Sequence, residues 1–109
     1  EKLEEYGVNY ITNEYLLKEK SETEQVYNVK YDAGHWNDLG AFYGTNHILE
    51  KVAEYFPNVQ PRDLSEFEIG TVHEDSLLVS HFAIDEDVPV FRDKNQENIQ
   101  DLTENYSSM

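Results

Sequence analysis

At 109 residues, with 39% hydrophobic and 13% aromatic content, the chain has the size of one ordinary domain with a modest core, which excludes disorder throughout. Its 8 Lys and Arg against 23 Asp and Glu leave a formal charge of −15, which repels nucleic-acid phosphates and anionic lipid headgroups. Cysteine is absent, so neither a disulfide framework nor a thiolate metal site is available.

The first residues, "EKLEEYG", predict a helical turn or two stopped by Gly7, the residue type that best accepts the left-handed conformation after a helix end. The chain opens on Glu1 rather than Met, which reads as a piece cut from something longer. "VNYI" reads as a short buried strand. Thr12 or Asn13 can cap a short helix over "EYLLKEKSE", with Tyr15, Leu16 and Leu17 as its apolar side. "QVYNVKY" carries aromatic and β-branched residues on both registers and predicts a second strand.

After the loop "DAGHW", Asn37 or Asp38 can cap the clearest element, a helix with Ala41, Phe42, Thr45, Ile48, Leu49, Val52 and Phe56 at helical spacing, ended by Pro57. Gly40 and Gly44, one turn apart inside it, each cost about 1 kcal/mol relative to Ala, so they predict close approach of a neighbouring backbone, most naturally a sheet. "NVQPRDLSEF" is punctuated by Pro61 and crosses the surface. "FEIGTV" and "SLLVSHFAI" read as strands, paired with each other, while Pro89 makes "DEDVPVFRD" an edge or an extended loop. "KNQENIQDLTENYSSM" allows a weak helix around Ile99 and Leu102 and then turns polar. No apolar run approaches the roughly 20 residues needed to span a bilayer. The order of elements favours an α/β layer structure, with residues 1–57 as its α/β part and 58–109 as a β-rich extension with a polar tail.

In open α/β sheets, functional groups gather where strands lead into helices, and "KYDAGHWND" occupies such a place. Asp32 and His35 can face one crevice, with the carboxylate accepting the imidazole Nδ1–H and Nε2 pointing outward. That arrangement fixes the tautomer and makes a general base near neutral pH, with Gly34 supplying backbone freedom. A lone D-x-x-H pattern is equally a loop histidine bonded to a capping aspartate.

The frame around the pattern adds to it. "YGVNYITNEYLL" followed by "YNVKYDAGHWNDLGAFYGTNHILEKV" resembles the Asp-and-His end of SGNH (GDSL-type) hydrolases. "DAGHWNDLGAF" is similar, within them, to the D-x-H-W branch related to polysaccharide O-acetyltransferases, although two residues rather than one separate Asp from His here. The resemblance covers residues 1 to about 56. It implies part of a three-layer, flavodoxin-like SGNH sandwich with a mostly β appendage. It also implies an acyl-ester activity, O-acetyl transfer to or hydrolysis from a cell-surface polysaccharide or another acylated small molecule. Asp32 and His35 would be the catalytic pair and Trp36 and Asn37 the substrate-binding residues, Trp36 shaping the pocket and Asn37 also capping the helix beside it. The resemblance calls for no cofactor and places the parent outside the cell or at a bacterial surface, where it could be membrane-anchored.

A triad also needs a nucleophilic Ser on a sharp turn, and the chain has neither G-D-S nor G-x-S-x-G. Ser21, Ser65, Ser76, Ser80, Ser107 and Ser108 are all poorly placed, so the nucleophile is expected elsewhere in the parent, and downstream by the order of the O-acetyltransferase-like branch. The competing reading is a non-catalytic carbohydrate-binding or scaffold module. His73, Glu74 and Asp75, with His81, offer nitrogen and oxygen ligands for a cation, but no zinc spacing matches and no metal is expected. His47 reads as a partly buried, hydrogen-bonded side chain, and Tyr27, Tyr31 and Tyr43 as core.

Overall fold

A computed structural model describes residues 2–77, 83–97, 99–100 and 102. In chain order they form α1 (Lys2–Glu5), α2 (Glu14–Lys20), α3 (Asp38–Ala53), a 3-10 turn (Leu64–Glu66), β1 (Phe67–Ser76) and β2 (Ala83–Asp93). The result is a small mixed α/β unit whose described strands make one two-stranded antiparallel sheet. None of its described helices is long and apolar enough to cross a membrane.

Gly7 ends α1 in the left-handed region at φ +69°, as its position predicts. "VNYI" is not a strand. Among the described residues no neighbour offers it a ladder, and Tyr10 and Ile11 instead lie beside Ile48, Val52, Tyr55 and Phe56. Thr12 Oγ1 accepts the Glu14 N–H at 3.3 Å at the start of α2. Asn13 occupies the cap position, but its Oδ1 faces His47 Nδ1 at 2.8 Å, which gives His47 the structural role expected of it. Leu17 is buried and Leu16 half-buried, whereas Tyr15 projects into solvent.

"QVYNVKY" also departs from its expected strand. It makes a single antiparallel bridge, Tyr27 to Trp36, and then turns. The backbone N–H groups of Val29, Lys30 and Tyr31 find a side-chain acceptor described below, and that of Asn28 reaches His35 O, in place of a partner strand. Val26 is 1% exposed and anchors the segment, while Tyr27 faces outward. Tyr43 on α3 donates its hydroxyl to Glu24 at 2.7 Å; burial, with the Glu24 carboxylate beside it, pushes the phenol up to about 12.

Asn37 caps α3 with extended backbone, its Oδ1 accepting the Gly40 N–H at 3.0 Å. Gly40 and Gly44 are both buried, and they do permit close approach, though not by a sheet. A Cβ on Gly40 would overlap the Val26 carbonyl oxygen, and one on Gly44 would lie 2.6 Å from Trp36 Cζ3. The neighbour is therefore the 26–36 loop and the Trp36 ring. On α3, Phe42 is partly buried, but Thr45, Ile48 and Phe56 from the predicted stripe are exposed.

Pro57 follows the last turn, and the chain crosses the surface to Arg62, whose backbone exchanges bonds with Asn46: Asn46 Nδ2 donates to Arg62 O at 2.8 Å and Arg62 N donates to Asn46 Oδ1 at 2.7 Å. The Arg62 guanidinium spans Glu66 and Asp93, each at 2.8 Å, and lies over the Phe67 ring. These contacts fasten the open end of the hairpin to α3. β1 and β2 pair in register from Phe67 opposite Asp93 to Glu74 opposite Glu86, with an irregularity between Glu74 and Ser76. Pro89 sits inside β2, which a two-stranded sheet tolerates because every strand has a free edge.

Phe67 and Phe91 pack on Phe42 with ring centroids 5.8 Å apart, whereas further along the hairpin the residues turned inward are Glu86 and Val88. Odd positions face α3 at one end and even positions face the loop at the other, as a strongly twisted two-stranded ribbon allows. The middle of "SLLVSHFAI", including His81, and most of the C-terminal segment lie outside the described residues; Ile99 and Leu102 are described and are not helical.

Candidate functional site

The loop from Tyr27 to Trp36 is closed at its neck by Asn28 N–H to His35 O at 3.1 Å and Asn37 N–H to Val26 O at 3.0 Å. Inside this neck the chain turns over Asp32-Ala33-Gly34. Asp32 has φ +49° and Gly34 φ +98°, left-handed positions for which Asp is a tolerated residue type and Gly the preferred one. The His35 N–H reaches Asp32 O at 3.2 Å, a turn contact made possible by the two residues between them.

That turn brings the two side chains together. His35 Nδ1 lies 2.8 Å from Asp32 Oδ1, and among the described residues Nε2 has no hydrogen-bond partner. In the tautomer that bonds the carboxylate, Nδ1 carries the shared proton and Nε2 keeps the free lone pair. Asp32 and His35 are open to water, with side chains 53% and 71% exposed.

Asp32 also borders a recess of about 320 Å³ lined by Asn28, Tyr31, Trp36, Asn37, Asp38, Glu74 and the Val88–Val90 stretch of β2. Trp36 is partly exposed there, its ring supported by Gly44. Asn37 is 5% exposed and holds Gln25 O through Nδ2 at 2.7 Å as well as capping α3. Asn28 Oδ1 is a buried oxygen with no hydrogen-bond partner among the described residues. Burial, then the Glu74 and Asp32 carboxylates, push the Tyr31 phenol above its usual range. No described serine is hydrogen-bonded to His35.

The residue that motif reading missed is Glu86. It is 8% exposed, and its carboxylate accepts four N–H bonds: Val29 N at 2.7 Å and Gln25 Nε2 at 2.9 Å on Oε1, Lys30 N at 2.8 Å and Tyr31 N at 2.7 Å on Oε2. Burial alone pushes the Glu86 carboxyl up, but the bonds from Tyr31, Val29, Lys30 and Gln25 outweigh it and hold it below the usual range. A signal was present in the alternation Ile84, Glu86, Val88, Val90, which puts one acid in the apolar register of a strand, where a charge persists only if paired.

On the hairpin's outer surface, His73 Nδ1 meets Asp87 at 2.7 Å, and Nε2 lies 3.2 Å from both Asp75 and Asp85. The Asp87 bond, with the other two carboxylates, raises the imidazole above its usual value despite some desolvation. No group of three or more His, Asp and Glu side chains is arranged to hold a metal ion among the described residues. No protein-family model matches the chain, and no curated protein or solved structure matches it significantly.

Proposed function

We propose that this chain supplies the His and Asp of a Ser–His–Asp acyl-ester site, on a scaffold that belongs to a three-layer SGNH-type sandwich. The observation that carries the reading is the 2.8 Å Nδ1 to Oδ1 contact in a loop that leaves Nε2 open, the geometry a base needs to take a proton from a serine hydroxyl. His35 would deprotonate the nucleophile and return the proton to the leaving oxygen. Asp32 would hold the tautomer and stabilise the imidazolium. Trp36, which lines the recess beside Asp32, is assigned to the substrate side, and Asn37, buried with both amide atoms engaged, holds the wall behind it. The substrate class is an acetylated or acetyl-accepting cell-surface polysaccharide, and the serine and oxyanion donors come from other parts of the parent protein.

The openness of the pair and the partly exposed Trp36 ring favour a second reading, a non-catalytic carbohydrate-binding module using the same recess. The protein with its native flanking residues, assayed on a simple aryl acetate, separates the two. Near-complete loss of turnover in His35→Ala and a large loss in Asp32→Asn support the acyl-ester site. Equal background rates in the parent and both variants support the binding module.

A further inference from the structure

We infer that Glu86 is a positioning residue for the Asp32–His35 pair, acting from 54 positions away in sequence through the backbone that precedes Asp32. The inference rests on the acyl-ester reading for its functional meaning, but not for its geometry.

Val29, Lys30 and Tyr31 turn three consecutive backbone N–H groups toward one point, a concave anion-binding arrangement. Glu86 fills it from β2 with both carboxylate oxygens. The last of the three donors adjoins Asp32, where φ becomes positive and the turn to His35 begins. The loop neck fixes where the chain leaves His35 toward α3, and Glu86 fixes where Asp32 leaves the preceding segment. Together they set the separation of the two side chains.

Other charged groups nearby do not substitute for it. Glu74 stands opposite Glu86 in the strand register and carries the same sign, and the Lys30 ammonium is turned to Asp85 O at 2.9 Å. Gln at position 86 would keep the shape and one acceptor but present an amide donor to N–H groups, so the nest would open.

The test is nitrogen NMR of the His35 ring in the full chain, at a pH where the imidazole is neutral, for the parent, Glu86→Gln and Asp32→Asn. We expect the Nδ1–H form to dominate in the parent and Glu86→Gln to shift to the mixed tautomers of Asp32→Asn, while circular dichroism shows α3 intact. In the aryl-acetate assay Glu86→Gln should lose about 10²-fold in kcat with KM near the parent's. Unchanged His35 ring shifts in a folded Glu86→Gln overturn the positioning role. Should Glu86→Gln fail to fold, Glu86→Asp, which keeps the charge one methylene short, provides the same comparison. Loss of the fold in both would assign Glu86 to stability alone and overturn the proposal. A tautomer change without any parental turnover supports positioning and sinks only the acyl-ester reading.

Discussion

Replacing Gly40 by Ala sets two effects of opposite sign against each other. Ala is a better helix former, worth about 1 kcal/mol at an interior position. Its Cβ, however, would overlap the Val26 carbonyl oxygen while lying 3.2 Å from the Val26 carbonyl carbon and 3.0 Å from Trp36 Cβ. Relief requires the loop to move by roughly 1 Å, and the group to be moved is backbone, which cannot rotate aside. Overpacking of this kind costs about 1–3 kcal/mol. The same carbonyl accepts the Asn37 N–H at 3.0 Å, so the shift also weakens a bond worth about 1 kcal/mol. The net expectation is a loss of about 1–3 kcal/mol, or about 5–20 °C in Tm for a domain of this size. Thermal and urea unfolding followed by far-UV circular dichroism and by the fluorescence of Trp36, the sole tryptophan, measure it directly. Gly70→Ala, where nothing lies within 4 Å of the added carbon, is the control and should be neutral or slightly stabilising. A Gly40→Ala protein as stable as the parent would refute the seating of the loop on α3.

Because the Glu86 carboxyl is held below its ordinary value, its contribution is present above the ordinary glutamate range and is lost as pH falls through the lowered folded value. The urea midpoint of the parent should therefore decline more steeply below pH 5 than that of Glu86→Gln, and parallel declines would contradict the buried carboxylate. His73 has the opposite sign: its raised value makes its contribution complete below the usual 6.5 and lost as pH rises through the folded value. The Tm advantage of the parent over His73→Gln should shrink between pH 6 and 9, and a constant difference would refute the three-aspartate clamp. At Asp32, φ +49° suits Asn but not a β-branched residue, so Asp32→Asn should keep the parent's stability within about 0.5 kcal/mol while Asp32→Val loses about 1–2 kcal/mol. Equal stabilities in urea would remove the left-handed turn from the argument.

Local chemistry was legible wherever the deciding partner lay a few residues away. Gly7 stops α1, Asn37 caps α3, Pro57 follows the helix, and the D-x-x-H spacing closes a turn that brings His35 to Asp32, all through contacts within about four residues. The strand begun by "FEIGTV" formed and runs on to Ser76. The two early strands did not form, because an apolar alternating run specifies only that one side will be covered, not by what. "VNYI" stays largely exposed, with Tyr10 and Ile11 beside α3. For "QVYNVKY" the donors of Val29, Lys30 and Tyr31 are taken by a glutamate more than fifty residues downstream. The glycines of α3 likewise announced a close neighbour, and only the folded chain decided that it would be the Val26 carbonyl and the Trp36 ring.

Residue types and short spacings thus determined α1 to α3, the first strand of the hairpin and the identity of the Asp–His pair, whereas the hairpin's second strand lies over 83–93, in the stretch read as an edge or a loop. Which surfaces meet, and therefore that a buried acid on β2 holds the loop in front of that pair, was decided by tertiary structure, since a buried charge and a row of unpaired N–H groups can satisfy each other only once folding brings them within 3 Å.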